Sequence, residues 1–131
     1  MAKPSQTVKG HNCEREYRLI FKDELGFSFC MTARQGSRIS DDAGIDLINL
    51  PFNVQLKAGY KRGLNIKTTI DYTKRKIEEL FPPDAKEHHL PTLLIHKMDV
   101  GRGKRRQETD DIVSMSFEDF KKIIKRISEW D

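Results

Sequence analysis

The sequence predicts an α/β domain, with helices packed on a central mixed sheet. Segments of helical periodicity alternate with short runs rich in aliphatic and aromatic residues. A helical segment over 68–81 separates the third strand from the fourth, so one strand pair is joined by a crossover and part of the sheet is parallel. The 131 residues are 37% hydrophobic and 34% charged, enough apolar material for one modest core and too much for a disordered chain.

Taken in order, residues 1–9 read as a loose tail and 10–131 as a single domain. The first helix is expected over 12–25, because Tyr17, Ile20, Phe21 and Leu25 recur at three- and four-residue steps. Gly26 ends it, as a residue tolerant of positive φ does. Residues 27–32 form an aromatic-rich strand, and Gln35-Gly36-Ser37-Arg38 is turn chemistry. A second strand spans 45–49, and Leu50-Pro51-Phe52 makes a tight connection to a third over 53–58. In that third strand Val54 and Leu56 face one way, Gln55 and Lys57 the other.

A basic loop, 59–63, leads to the helix at 68–81. Its apolar residues are Ile70, Ile77, Leu80 and Phe81, and Pro82-Pro83 stops it. Residues 91–98, with Leu93-Leu94-Ile95, suit a buried central strand. After a glycine-punctuated basic loop (101–107) comes a fifth strand (111–115). Ser116 then caps a last helix, with Asp119 placed as in a capping box. The stripe Phe117, Phe120, Ile123, Ile124, Ile127 and Trp130 is expected to pack into the core. The order is therefore α-β-β-β-α-β-β-α.

Several classes are excluded at this level. No run approaches the roughly 20 apolar residues of a membrane span, and the polar first ten residues carry no secretory signal. Cys13 and Cys30 form no C-x-x-C pair, which argues against a disulfide framework or structural zinc and for a reducing cytoplasm. None of the four histidines sits in a ligand pattern.

The net charge of +4 is clustered. Lys9, Arg15 and Arg18 lie near the start, Lys57, Lys61, Arg62 and Lys67 in the middle. Lys74-Arg75-Lys76 follows, then Arg102, Lys104, Arg105 and Arg106. This distribution fits a polyanionic partner. The loop at Lys61-Arg62 and the arm at 102–106 are placed to touch a phosphate backbone, which positions a duplex without reading its sequence.

The residues that carry chemistry are Asp46, Gln55, Lys57 and Glu14. A hairpin of this length brings Asp46 beside Gln55, and Gln55 and Lys57 share a face. Phosphodiester hydrolysis needs such a set: hard oxygen ligands for Mg²⁺, and a lysine to orient water and offset charge on the pentavalent phosphorus.

Lys9-Gly10-His11-Asn12-Cys13-Glu14-Arg15-Glu16, Leu25-Gly26-Phe27, Gly36-Ser37, Gly44-Ile45-Asp46-Leu47 and Gln55-Leu56-Lys57 together resemble the archaeal-type Holliday-junction resolvases, members of the PD-(D/E)XK nuclease superfamily. The likeness runs from Lys9 to Lys57, and its opening K-G-x-x-x-E-R-E is the more specific part. It implies a restriction-endonuclease-like core with a central mixed five-stranded sheet. It implies Mg²⁺, with Mn²⁺ as substitute, held by Glu14, Asp46, the position of Gln55 and the Leu56 carbonyl, and Lys57 as the catalytic lysine. It matches Arg15 to the arginine beside the metal-site glutamate and Ser37 to a loop serine near the scissile phosphate, and it implies a homodimer whose two sites cut a four-way junction symmetrically. Lys9, Arg15, Arg34 and Lys67 are further candidates for DNA contact. The chain departs from the family at Gln55, where an acid is usual. That leaves two further readings, a DNA-binding module impaired in catalysis and a nuclease of this fold acting on other DNA. Asp41 and Asp42 are neighbouring acids of the loop before the second strand.

Overall fold

The computed structural model describes residues 6–59, 64–97, 99–100, 107–108 and 111–129, with side chains for 10–59, 64–97 and 111–129. Its centre is strand β3 (Asn53–Ala58), paired in parallel with β4 (Thr92–Lys97). The six-residue register from Asn53↔Thr92 to Ala58↔Lys97 is the one the crossover predicts. On the other side of β3 lies β2 (Leu47–Ile48), antiparallel, and beyond it β1 (Met31–Thr32), also antiparallel. Strand β7 (Ile112–Ser114) closes the far edge antiparallel to β4. The sheet is therefore mixed, open and five-stranded, in the order β1-β2-β3-β4-β7. Strands β5 (Asp99–Val100) and β6 (Gln107–Glu108) pair with each other alone.

Helix α1 (Gln6–Leu19) starts within the stretch read as a tail and runs on into a π-helical turn, Ile20–Glu24. Leu25 N–H closes that turn on the Ile20 carbonyl, and Gly26 follows at φ 82°, the left-handed value that suits glycine at a helix end. The expected strand at 27–32 shrinks to β1. Residues 27–30 instead make a turn, in which the Cys30 N–H bonds the Phe27 carbonyl. Two short helices, α2 (Ala33–Gly36) and α3 (Arg38–Asp42), replace the predicted turn, with Ser37 as the N-cap of α3. Helix α4 (Ile66–Leu80) begins at Asn65, whose side chain accepts from Thr68 N–H.

The alternation along β3 sorts the core onto two faces. Val54 and Leu56 join Leu47 and Ile95 beneath Cys13 and Tyr17 of α1 and Phe21 of the π-helical turn. Ala43, Ile45, Ile77 and Phe81 form a second cluster on the α4 side. Leu47, Val54 and Leu94 are fully buried, each stabilising the fold by about 2 kcal/mol through removal of apolar surface from water.

The last helix, α5 (Phe117–Ser128), overturns one expectation. Of its apolar stripe Phe117, Phe120, Ile124 and Ile127 are exposed, Ile123 is half-buried and Trp130 lies outside the described residues, and neither apolar cluster includes an α5 residue. The helix is anchored by polar groups. Ser116 Oγ accepts from Asp119 N–H, and the buried Asp119 carboxylate accepts from Thr92 N–H at 3.1 Å and pairs with Lys74 Nζ at 3.0 Å. Burial alone would push the Asp119 carboxyl up, but the Thr92 N–H and the Lys74 ammonium outweigh it and hold it below the usual carboxylate range. Among the described residues no helix is long and apolar enough to cross a membrane.

Candidate metal-ion and catalytic site

Leu47 of β2 pairs with Val54, and Asp46 stands immediately before β2, against the Val54–Leu56 stretch of β3. Asp46 N–H donates to the Val54 carbonyl at 2.8 Å, the last main-chain bond before the chain leaves the sheet; Ile45 N–H turns instead to the Ser40 carbonyl. Strand β3 runs on past this point, and its Leu56 N–H meets the Asp46 carboxylate at 2.7 Å. By strand alternation the Leu56 carbonyl faces this same edge.

Asp46, Gln55, Leu56 and Lys57 line one open cavity of about 450 Å³, completed by Gly44, Leu64, Thr68, Thr69 and Tyr72. Lys57 is half-buried there. Gln55 is 4% exposed, and its Oε1 is buried with no hydrogen-bond partner among the described residues. Gly44 makes room for this packing. It sits at φ 84°, and a Cβ there would come within 2.7 Å of Thr73 Oγ1. Burial pushes the Asp46 carboxyl up to about 7 and nearby Glu14 adds to the rise, while the Leu56 N–H and Lys57 oppose it.

Glu14 stands differently from the other three. It is nearly buried on α1, the helix that covers the opposite sheet face, and it does not line the cavity. Its carboxylate accepts from Arg34 Nε at 2.9 Å. It reaches Asp46 through its charge, as does Asp41. Among the described residues no three His, Cys, Asp or Glu side chains converge as a metal-holding group.

The basic candidates scatter. Arg34 is engaged with Glu14, Lys67 with Asp71 at 2.6 Å, and Arg15 is exposed. Ser37 Oγ serves its own helix start, accepting from Ser40 N–H and donating to Ser40 Oγ, beside a different cavity. Lys61, Arg62, Arg102, Lys104, Arg105 and Arg106 lie outside the described residues, as does the Lys9 side chain. Sequence reasoning gave Gly44 no role of its own and missed Tyr72. Tyr72 shares the cavity and carries Arg75 and Lys76 over its ring at 5.8 and 5.7 Å. Its signal was present as an aromatic just ahead of the Lys74-Arg75-Lys76 run. The chain matches no protein-family model, no curated protein and no solved structure.

Proposed function

We propose that this protein is a divalent-metal-dependent endodeoxyribonuclease with a restriction-endonuclease-like core, acting on branched DNA such as four-way junctions in a reducing cytoplasm. The observation that carries the reading is the meeting of Asp46, Gln55 and Lys57 in one cavity at the end of β2. There a half-buried carboxylate that is costly to ionise shares the cavity with a buried amide oxygen that has no hydrogen-bond partner among the described residues, and with the Lys57 amine. A divalent cation answers both deficits, so the donor set suits Mg²⁺ or Mn²⁺ held by Asp46, Gln55 and the Leu56 carbonyl. The mixed five-stranded sheet, with α4 crossing over between the parallel strands β3 and β4, supports the same reading.

Each residue then has a task. Asp46 carries the negative charge of the site. Gln55 adds an oxygen without charge. Lys57, two residues along on the same face, donates from Nζ to a water approaching phosphorus and offsets charge on the pentavalent centre. Glu14, held by Arg34, strengthens the field at Asp46 from the other side. A bound Mg²⁺ would polarise the scissile phosphoryl oxygen and supply the positive charge the side chains lack. Tyr72 with Arg75 and Lys76 offers an aromatic and cationic surface at the cavity, suited to a nucleic-acid strand. Symmetric cutting of a junction calls for two such sites, hence two copies of the chain.

Cleavage of a synthetic four-way junction with and without Mg²⁺ tests this. Asp46→Asn and Lys57→Ala are expected to abolish cutting while leaving junction binding intact; undiminished cutting in both variants refutes it. One observation favours a second reading, a DNA-binding module without catalysis: among the described residues Asp46 is the one carboxylate lining the cavity. Gln55→Glu separates the two. A wild type that cuts supports the nuclease, and cutting seen only after Gln55→Glu supports the impaired module.

A further inference from the structure

Helix α5 presents Phe117, Phe120, Ile124 and Ile127 on one face, spaced three and four apart. They are 71%, 43%, 44% and 61% exposed, and the two phenyl rings stand 6.2 Å apart. Together they leave on the order of 400–500 Å² of apolar surface in water per chain, as much as the largest patch on an ordinary monomer. The opposite side of the helix is fixed to the domain through Asp119, so the apolar face is held outward on a rigid element.

We infer that this face is a two-fold interface, on which α5 of a second copy of the chain packs antiparallel. The spacing is self-complementary about position 122. In an antiparallel pair Phe117 meets Ile127 of the second copy and Phe120 meets Ile124, so every large apolar side chain opposes another. The flanking charges choose the direction. Glu118 lies at the N-terminal end of the face, where it pairs with Lys121 at 2.8 Å and would exchange that partner on docking, and Lys125 with Arg126 lies at the C-terminal end. Antiparallel packing brings Glu118 of each copy to the basic end of the other, whereas parallel packing would set like against like. Two such faces with their charged flanks approach the roughly 1,200 Å² at which specific interfaces begin. The inference rests on this helix face and deepens the nuclease reading by naming how its two sites are joined.

Sedimentation of the full chain at micromolar concentration should give a dimer. Phe120→Glu combined with Ile124→Glu, both at exposed positions, should give a monomer with unchanged far-UV circular dichroism. Should that variant lose its fold, the charge pair decides. Glu118→Lys or Lys125→Glu alone should weaken association roughly tenfold, and the double exchange should restore it. A wild type that sediments only as monomer, a dimer indifferent to the glutamates, or a double exchange that fails to restore association overturns the inference. A monomer that still cuts DNA would sink this interface and leave the nuclease standing; a dimer that cuts nothing would do the reverse.

Discussion

Replacing Asp46 by Asn should make the metal-free protein more stable at alkaline pH, and the gain should vanish in acid. The Asp46 carboxyl titrates near 7 rather than at 3.8, chiefly because it is buried. Below the ordinary carboxylate range both folded and unfolded states hold the proton, and ionisation imposes no penalty. As pH rises toward 7 the unfolded chain releases its proton while the folded site keeps it, so stability falls; above 7 the full penalty stands. A carboxyl displaced this far is harder to ionise by roughly 4 kcal/mol, and about half of that survives for a group that keeps some solvent contact. Asn can still accept the Leu56 N–H bond and never ionises. Urea denaturation in chelator at about pH 8 should therefore show the variant about 2 kcal/mol more stable than wild type, or about 5 °C in Tm, with the difference closing toward about pH 4. Adding Mg²⁺ should stabilise wild type and leave the variant unmoved, since only a ligand that binds the folded state shifts the equilibrium. An Asn variant less stable than wild type at alkaline pH, or a difference that ignores pH, would refute the reasoning.

Other perturbations follow from the same geometry. Arg34→Ala strips the near-buried Glu14 carboxylate of its partner and should destabilise by about 1–2 kcal/mol in denaturant titration. Asp119→Ala removes the acceptor for Thr92 N–H and the partner of Lys74; about 2 kcal/mol should be lost near neutrality. Because that carboxyl is held low, its contribution is present above the ordinary carboxylate pKa and fades as pH falls through the lowered one, so wild type and variant should converge in strong acid. Gly44→Ala should lower stability by about 1–3 kcal/mol, visible as a lower Tm, through positive φ and the approach to Thr73 Oγ1.

How much of this was readable in the chain differs by element. Strand β3 was legible to the residue, because alternation and the flanking Pro51-Phe52 and Gly59 bound it on both sides. The short connection between β2 and β3 made it legible that Asp46 and Gln55 come to one place, and both line the same cavity. Helices α2 and α3 were not legible, since four- and five-residue helices carry too few turns to show a period and Gly36-Ser37 reads as a turn. Glu14 was placed on a helix correctly, but one-dimensional periodicity does not say which sheet face that helix covers. The α5 stripe failed for a related reason: amphipathic spacing states that a face wants cover and is silent on whether the cover belongs to the same chain.

The bond from Leu56 N–H to the Asp46 side chain gives that residue a second office. Where β2 turns away, the carboxylate takes the place of the missing neighbouring strand, stitching the open seam of the sheet. A truncation such as Asp46→Ala therefore unpicks backbone as well as chemistry, and lost cutting in it would not distinguish a dead site from a gaping one. Only a substitute that keeps an acceptor at the seam isolates the charge, which makes amide replacement the informative change at this position.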